Sequence, residues 1–171
     1  MWDTFLMIDQ SKPVQLLEDL PSSSKEEEAI YIVSASFNKG ITTRLINGCI
    51  QAAKQHQFPL KKLPLVWVPG SLELAQCAKQ IINYRKPAAI ICLGAVIKGD
   101  TAHFEHVCTQ SAQHISALNT QYEVPVIMGV LTTYDSKQAL ERAQDKPEHN
   151  NGYAAFESAL EMINTLKTLK E

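Results

Sequence analysis

The sequence predicts a three-layer α/β/α domain on a four-stranded parallel sheet. Four short apolar runs of the kind buried on both faces of a sheet point to it, as does a segment of helical spacing after each run. A length of 171 residues, enough for one domain of this size, agrees. Parallel neighbours need crossover connections, and right-handed crossovers place helices on both faces.

Taken in order, "AIYIVSASF" (29–37) is the first strand. The segment "KGITTRLINGCIQAAKQH" follows, with Ile41, Leu45, Cys49 and Ala52 on one helical face. "LPLVWVPG" (63–70) is a second strand broken by Pro69 and Gly70, and "SLELAQCAKQIINY" opens a helix with Ser71 as its expected cap. "AAIICLGAVI" (88–97) is the most strand-like piece, and a helix is expected from Thr101 to about Gln121. "VPVIMGVLTT" (124–133) is the fourth strand. Two helices close the chain, about Ser136–Ala143 and about Gly152–Lys170, the second with Ala155, Ala159, Met162, Ile163 and Leu166 on one stripe. The polar, turn-rich "QDKPEHNN" lies between them.

Residues 1–28 read as an N-terminal arm or linker. "PSSSKEEE" is polar and charged, while Trp2, Phe5, Leu6 and Ile8 ahead of it could dock on the domain or on a neighbouring chain. A net charge of −2 with no run of Lys or Arg argues against nucleic acid as the main partner. Cys49, Cys77, Cys92 and Cys108 form no CxxC pair and read as buried free thiols of a reducing compartment. No apolar run approaches the roughly 18 residues of a membrane span, and Asp3 and Asp9 interrupt an N-terminus without a basic leader. The expected address is the cytoplasm.

In parallel α/β sheets ligands bind beyond the carboxyl ends of the strands, so "SFNKG", "VPGSLE", "IKGDTAH" and "LTTYD" become the candidate loops. In "KGDT", Gly99 permits a sharp turn, Thr101 adds a hydroxyl, and the first amides of the next helix suit a phosphate. Taken alone, the same turn reads first as a helix cap by Asp100 or Thr101. His103 follows in the first turn, where an imidazole can take and return a proton near neutral pH. His106 is one turn on, but no third metal ligand is evident, and an incidental surface histidine is the bland alternative. Glu73 could accept hydrogen bonds from a polyol or simply face water at a helix start. Phe37 could stack on a flat ring or belong to the core, and Arg142 could clamp a phosphate or point to solvent.

Taken together, "SFN", "VPGSLE", "GAVIKGDTAHFEHV", "PVIMGVLTT", "ALERA" and "ALEMI", in uninterrupted order from about residue 29 to 170, resemble the lumazine synthase family of riboflavin biosynthesis. The resemblance implies a flavodoxin-like sandwich over residues 29–171. It implies an enzyme that condenses 5-amino-6-(D-ribitylamino)uracil with 3,4-dihydroxy-2-butanone 4-phosphate, without metal or organic cofactor. It assigns Phe37, Ser71, Leu72, Glu73, Ala95, Val96 and Ile97 to the pyrimidine and its ribityl chain. Asp100, Thr101 and Arg142 go to the phosphate, and His103 to proton transfer. Met128 stands where many members have a phenylalanine that covers the pyrimidine from the neighbouring subunit; a thioether can still pack on a ring. "QDKPEHNNG" replaces the common "GTKAGNKG", with Asn151 at a frequent lysine position. The resemblance further implies homopentamers with shared sites; a pentamer or a decamer is expected ahead of the 60-mer shell some members build. The altered loop lies in the region linked to shell formation. A non-catalytic riboflavin or lumazine carrier on the same scaffold is the alternative, kept open by Met128. A signalling module is disfavoured because the first strand lacks clustered acids.

Overall fold

The computed structural model describes the backbone of Val14–Gln15 and residues 28–171 in full. In chain order the elements are β1 (Val14–Gln15), β2 (Ile30–Ala35), α1 (Lys39–Gln55), β3 (Leu65–Val68), α2 (Leu74–Arg85) and β4 (Ala89–Ile97). They continue with α3 (His103–Gln121), β5 (Val126–Thr133), α4 (Ser136–Glu141) and α5 (Asn151–Thr168). Short 3-10 turns at Leu60–Lys62 and Pro147–His149 complete the set.

The sheet order is β1-β3-β2-β4-β5. The four strands β3, β2, β4 and β5 are mutually parallel, as expected, and the layers are those of a flavodoxin-like sandwich. Beyond expectation, β1 pairs antiparallel with β3 at the edge, Val14 opposite Val66. A two-residue strand is too short to leave a periodic signal. The expected docking of Trp2, Phe5, Leu6 and Ile8, and the "PSSSKEEE" linker before Glu28, lie outside the described residues.

Side-chain alternation divides the interior. Ile30, Ile32, Ile91 and Leu93 face α1, α4 and α5. Tyr31, Val33, Ile90 and Cys92 face α2 and α3. All six residues of β2 are buried, which explains why that strand reads as a continuous apolar run rather than an alternating one.

The two faces differ in closeness. A methyl group on Gly152 would lie 1.9 Å from Leu45 O, and one on Gly48 2.1 Å from Asn150 Oδ1, so α1 and the start of α5 meet backbone to backbone. Asn150 caps α5 by accepting from Gly152 N at 2.9 Å and Tyr153 N at 3.2 Å. Its Nδ2 donates to Gln144 O at 2.7 Å and Arg44 O at 3.1 Å, and Cys49 Sγ donates to Gly152 O at 3.0 Å. Thus "QDKPEHNN" is a turn that ends in a fully bonded cap. The buried stripe of α5 is Gly152, Tyr153, Ala155, Phe156 and Ala159, whereas Met162, expected on it, is exposed. The stripe runs off the sheet toward the C-terminal end of the helix.

All four cysteines are free. Cys49 and Cys92 are buried as expected, and burial pushes both thiols well above the ordinary range. Cys77 and Cys108 are only half-buried. Among the described residues no helix is long and apolar enough to cross a membrane.

Candidate functional site

Leaving β2, the chain first extends β3 in one direction and then β4 in the other, so the crevice at the carboxyl ends of β2 and β4 is the topological switch point. Hydrogen bonds draw two of the candidate loops and the last residues of β4 together there. Ser36 N donates to Val68 O at 2.8 Å and Phe37 N to Pro69 O at 3.1 Å, which seats the loop after β2 against the loop after β3. Asn38 then crosses to the other side, its Nδ2 donating to Ala95 O at 2.8 Å. It does so from a left-handed backbone (φ 56, ψ 42) that turns the chain abruptly from β2 into α1, a conformation asparagine tolerates better than most residues.

The Phe37 ring is 70% exposed, so the core reading fails and a flat surface is left at the rim. Ser71 does not cap α2: that helix begins at Leu74 with Glu73 as N-cap residue and no side-chain cap bond. Ser71 is instead buried beside β4, where a methyl on Gly94 would lie 2.6 Å from its Oγ. Gly94 is therefore what lets the "PGSLE" loop lie on β4. Leu72 is exposed, and the Glu73 carboxylate folds back over Gly70, within 3.1 Å of where a Cβ would sit. Ala95 is buried, while Val96 and Ile97 are half-buried as β4 reaches the rim.

Past β4, Lys98 N donates to Thr133 O at 2.9 Å, which carries the pairing with β5 one residue beyond the strand. Residues 98–103 are exposed. Neither Asp100 nor Thr101 caps α3: its N-cap residue is Ala102, in helical conformation, with no side-chain bond. The cap reading is thereby corrected, and the two polar side chains stand at the helix start with the unpaired amides of its first turn. His103 opens α3 and is exposed, as is His106.

Two candidates are not gathered at this rim within one chain. Met128 pairs with Cys92, three positions before Ala95 pairs with Leu131, and is 41% exposed on the edge strand. Arg142 is the C-cap residue of α4, which packs through Ala139 on the α1/α5 side, away from α3. Its guanidinium donates to Gln138 O at 2.9 Å, one turn back along its own helix. Asn151, at the frequent lysine position, donates its backbone N–H to Arg142 O at 2.9 Å. Sequence reasoning gave Asn38 no role, although an asparagine between a strand and a Lys-Gly helix start is the signal for such a left-handed turn.

The rim can do three things chemically. It offers an exposed flat ring after β2, a helix start suited to an anion after β4, and an exposed imidazole in the first turn of that helix. Residues 27–167 match the family described as 6,7-dimethyl-8-ribityllumazine synthase. Among solved structures, a GDP-L-fucose synthetase from Naegleria fowleri aligns with a TM-score of 0.39 at 17% identity, covering 91% of this chain and 46% of that one. The chain thus spans about half the length of that protein, a likeness too remote to inform fold or function.

Proposed function

Because the chain belongs to the 6,7-dimethyl-8-ribityllumazine synthase family, we propose that it is a transferase acting on a defined pair of substrates. It condenses 5-amino-6-(D-ribitylamino)uracil with 3,4-dihydroxy-2-butanone 4-phosphate to give 6,7-dimethyl-8-ribityllumazine, phosphate and water, the penultimate step of riboflavin biosynthesis. The observation that carries this reading is the junction of the loops after β2 and β3 with the end of β4, tied by Phe37 N to Pro69 O and Asn38 Nδ2 to Ala95 O.

In this reading Phe37 stacks on the pyrimidine, Ser71, Leu72 and Glu73 hold the ring and its ribityl hydroxyls, and Ala95, Val96 and Ile97 offer backbone bonds to the pyrimidine edge. The butanone phosphate lies at the start of α3 with Asp100 and Thr101, where the helix amides favour negative charge. The amine condenses with the ketone to an imine with loss of water, phosphate is eliminated, and the second ring closes with loss of a second water. The chain supplies alignment of two reactants, stabilisation of the departing anion and proton transfer through His103. Positioning carries most of the acceleration.

Met128 and Arg142 belong in the same reading to a neighbouring copy, which accounts for their distance from the rim of their own chain. The assembly is a homopentamer, alone or paired into a decamer, in the cytoplasm. Residues 29–171 are the synthase domain and residues 1–28 an arm attached to it.

Incubating the purified protein with both substrates tests the reading. Lumazine fluorescence rising in step with phosphate release is the expected result. Tight riboflavin binding without turnover would instead establish the carrier, the alternative that the exposed thioether of Met128 keeps in view.

A further inference from the structure

The first two turns of α3 carry His103 but fully bury no side chain; the buried residues of the helix begin at Ser111. Its start has no side-chain cap. What ties this end to the sheet is a cluster around Lys98. The Lys98 backbone is pinned to the end of β5 by its bond to Thr133 O. Its ammonium lies 3.5 Å from Glu105 Oε1, in the first turn of α3, and 5.5 Å from the centre of the Tyr134 ring just past β5. The Tyr134 ring is in turn 6.3 Å from that of Phe104. Phe104 and Glu105 directly follow His103, so one cation joins the sheet edge to the turn that bears the imidazole.

We propose that Lys98 is a positioning residue for His103: by holding Glu105 and the Tyr134–Phe104 pair, it sets the direction in which the first turn of α3 presents the imidazole to the rim. The inference rests on the proton-transfer role given to His103 under the proposed function. An exposed ion pair of this kind adds little to global stability. A helix whose first two turns are at most half-buried can pivot, however, and a displacement of about 1 Å at a proton-transferring group is enough to slow a reaction. Both the ion pair and the cation–ring contact end on the same ammonium, so its removal releases both together.

Steady-state kinetics of Lys98→Met, Lys98→Arg, His103→Ala and the Lys98→Met/His103→Ala double variant test this against the wild-type chain. Lys98→Met is expected to lower kcat about tenfold while the KM of each substrate stays within about twofold. Lys98→Arg restores most of the loss, and Lys98→Met adds nothing in the His103→Ala background, because the group it positions is gone. Losses that multiply in the double variant, or a loss confined to the KM of the butanone phosphate, would overturn the proposal, the latter by making Lys98 a direct phosphate ligand. A wild-type chain with no turnover would overturn the proposed function itself, an outcome distinct from an active wild type with an indifferent Lys98→Met. Unfolding midpoints establish that each variant is folded, and Lys98→Gln replaces the methionine form if that one aggregates.

Discussion

The two helical faces of the sheet are built differently. Between α1 and α5 there is no room: Gly48, Gly152 and Asn150 bring backbone against backbone, and every polar atom of the Asn150 amide is engaged. On the other face α3 is nineteen residues long and buries only Ser111, Ile115 and Leu118. Its first turns carry the exposed His103 and follow the exposed loop that holds Asp100 and Thr101. One face is closely packed and the other leaves more side chains exposed, the division expected when stability and function compete for the same groups.

The sharpest way to break this contrast is Gly152→Ala. The added carbon would lie 1.9 Å from Leu45 O, a backbone atom that cannot swing aside, so the helices must separate. More than about 3 kcal/mol should be lost in urea unfolding; a variant as stable as wild type would show that the α1–α5 contact yields easily. Asn150→Ala comes next. It strips two amides and two carbonyls of their partners, and a loss of about 2–3 kcal/mol is expected from the shift in the urea midpoint.

At the rim Phe37→Ala should leave the midpoint within about 0.5 kcal/mol, because the residue is exposed. Riboflavin binding, followed by fluorescence quenching, should weaken about tenfold through loss of ring stacking. A destabilised Phe37→Ala with unchanged binding would return the ring to the core. The mildest probe is a thiol reagent on the native protein. Cys77 and Cys108, half-buried and with thiols also raised by desolvation, should label slowly in the native state, whereas Cys49 and Cys92, fully buried, should label only on global unfolding. Rapid modification of Cys49 would mean that α1 and α5 part in the native state.

Much of this was legible in the residues themselves. The parallel sheet followed from apolar runs such as "AIICLGAVI", whose two faces are both covered, and α1 from the spacing of Ile41, Leu45, Cys49 and Ala52, all of them buried. The rim was legible because strand ends must cluster in a parallel sheet. The caps were not. Ser71 and Thr101 have the right chemistry for capping, yet the chain enters α2 and α3 through Glu73 and Ala102, and Ser71 is taken instead by its contact with Gly94. Conversely, Asn150 sat in a stretch that reads as turn, and its four bonds reach segments as distant as Arg44. Local propensity identifies residues able to cap; long-range packing decides which of them do. Met128 and Arg142 illustrate a further limit. The resemblance implies a site shared between subunits, and nothing in the periodicity of one chain says which residues a neighbour would receive.

The contrast between the faces is tested most directly by measuring turnover and unfolding together in His103→Ala. The unfolding midpoint should match wild type within about 0.5 kcal/mol, since the side chain is exposed and the first turn of α3 lies outside the core. In the proposed reading, where His103 transfers protons, lumazine formation should fall about 10- to 100-fold yet stay above the uncatalysed rate, because alignment of the two substrates is left intact. An unchanged rate, or a rate that disappears together with the fold, would contradict the division of labour between the two faces.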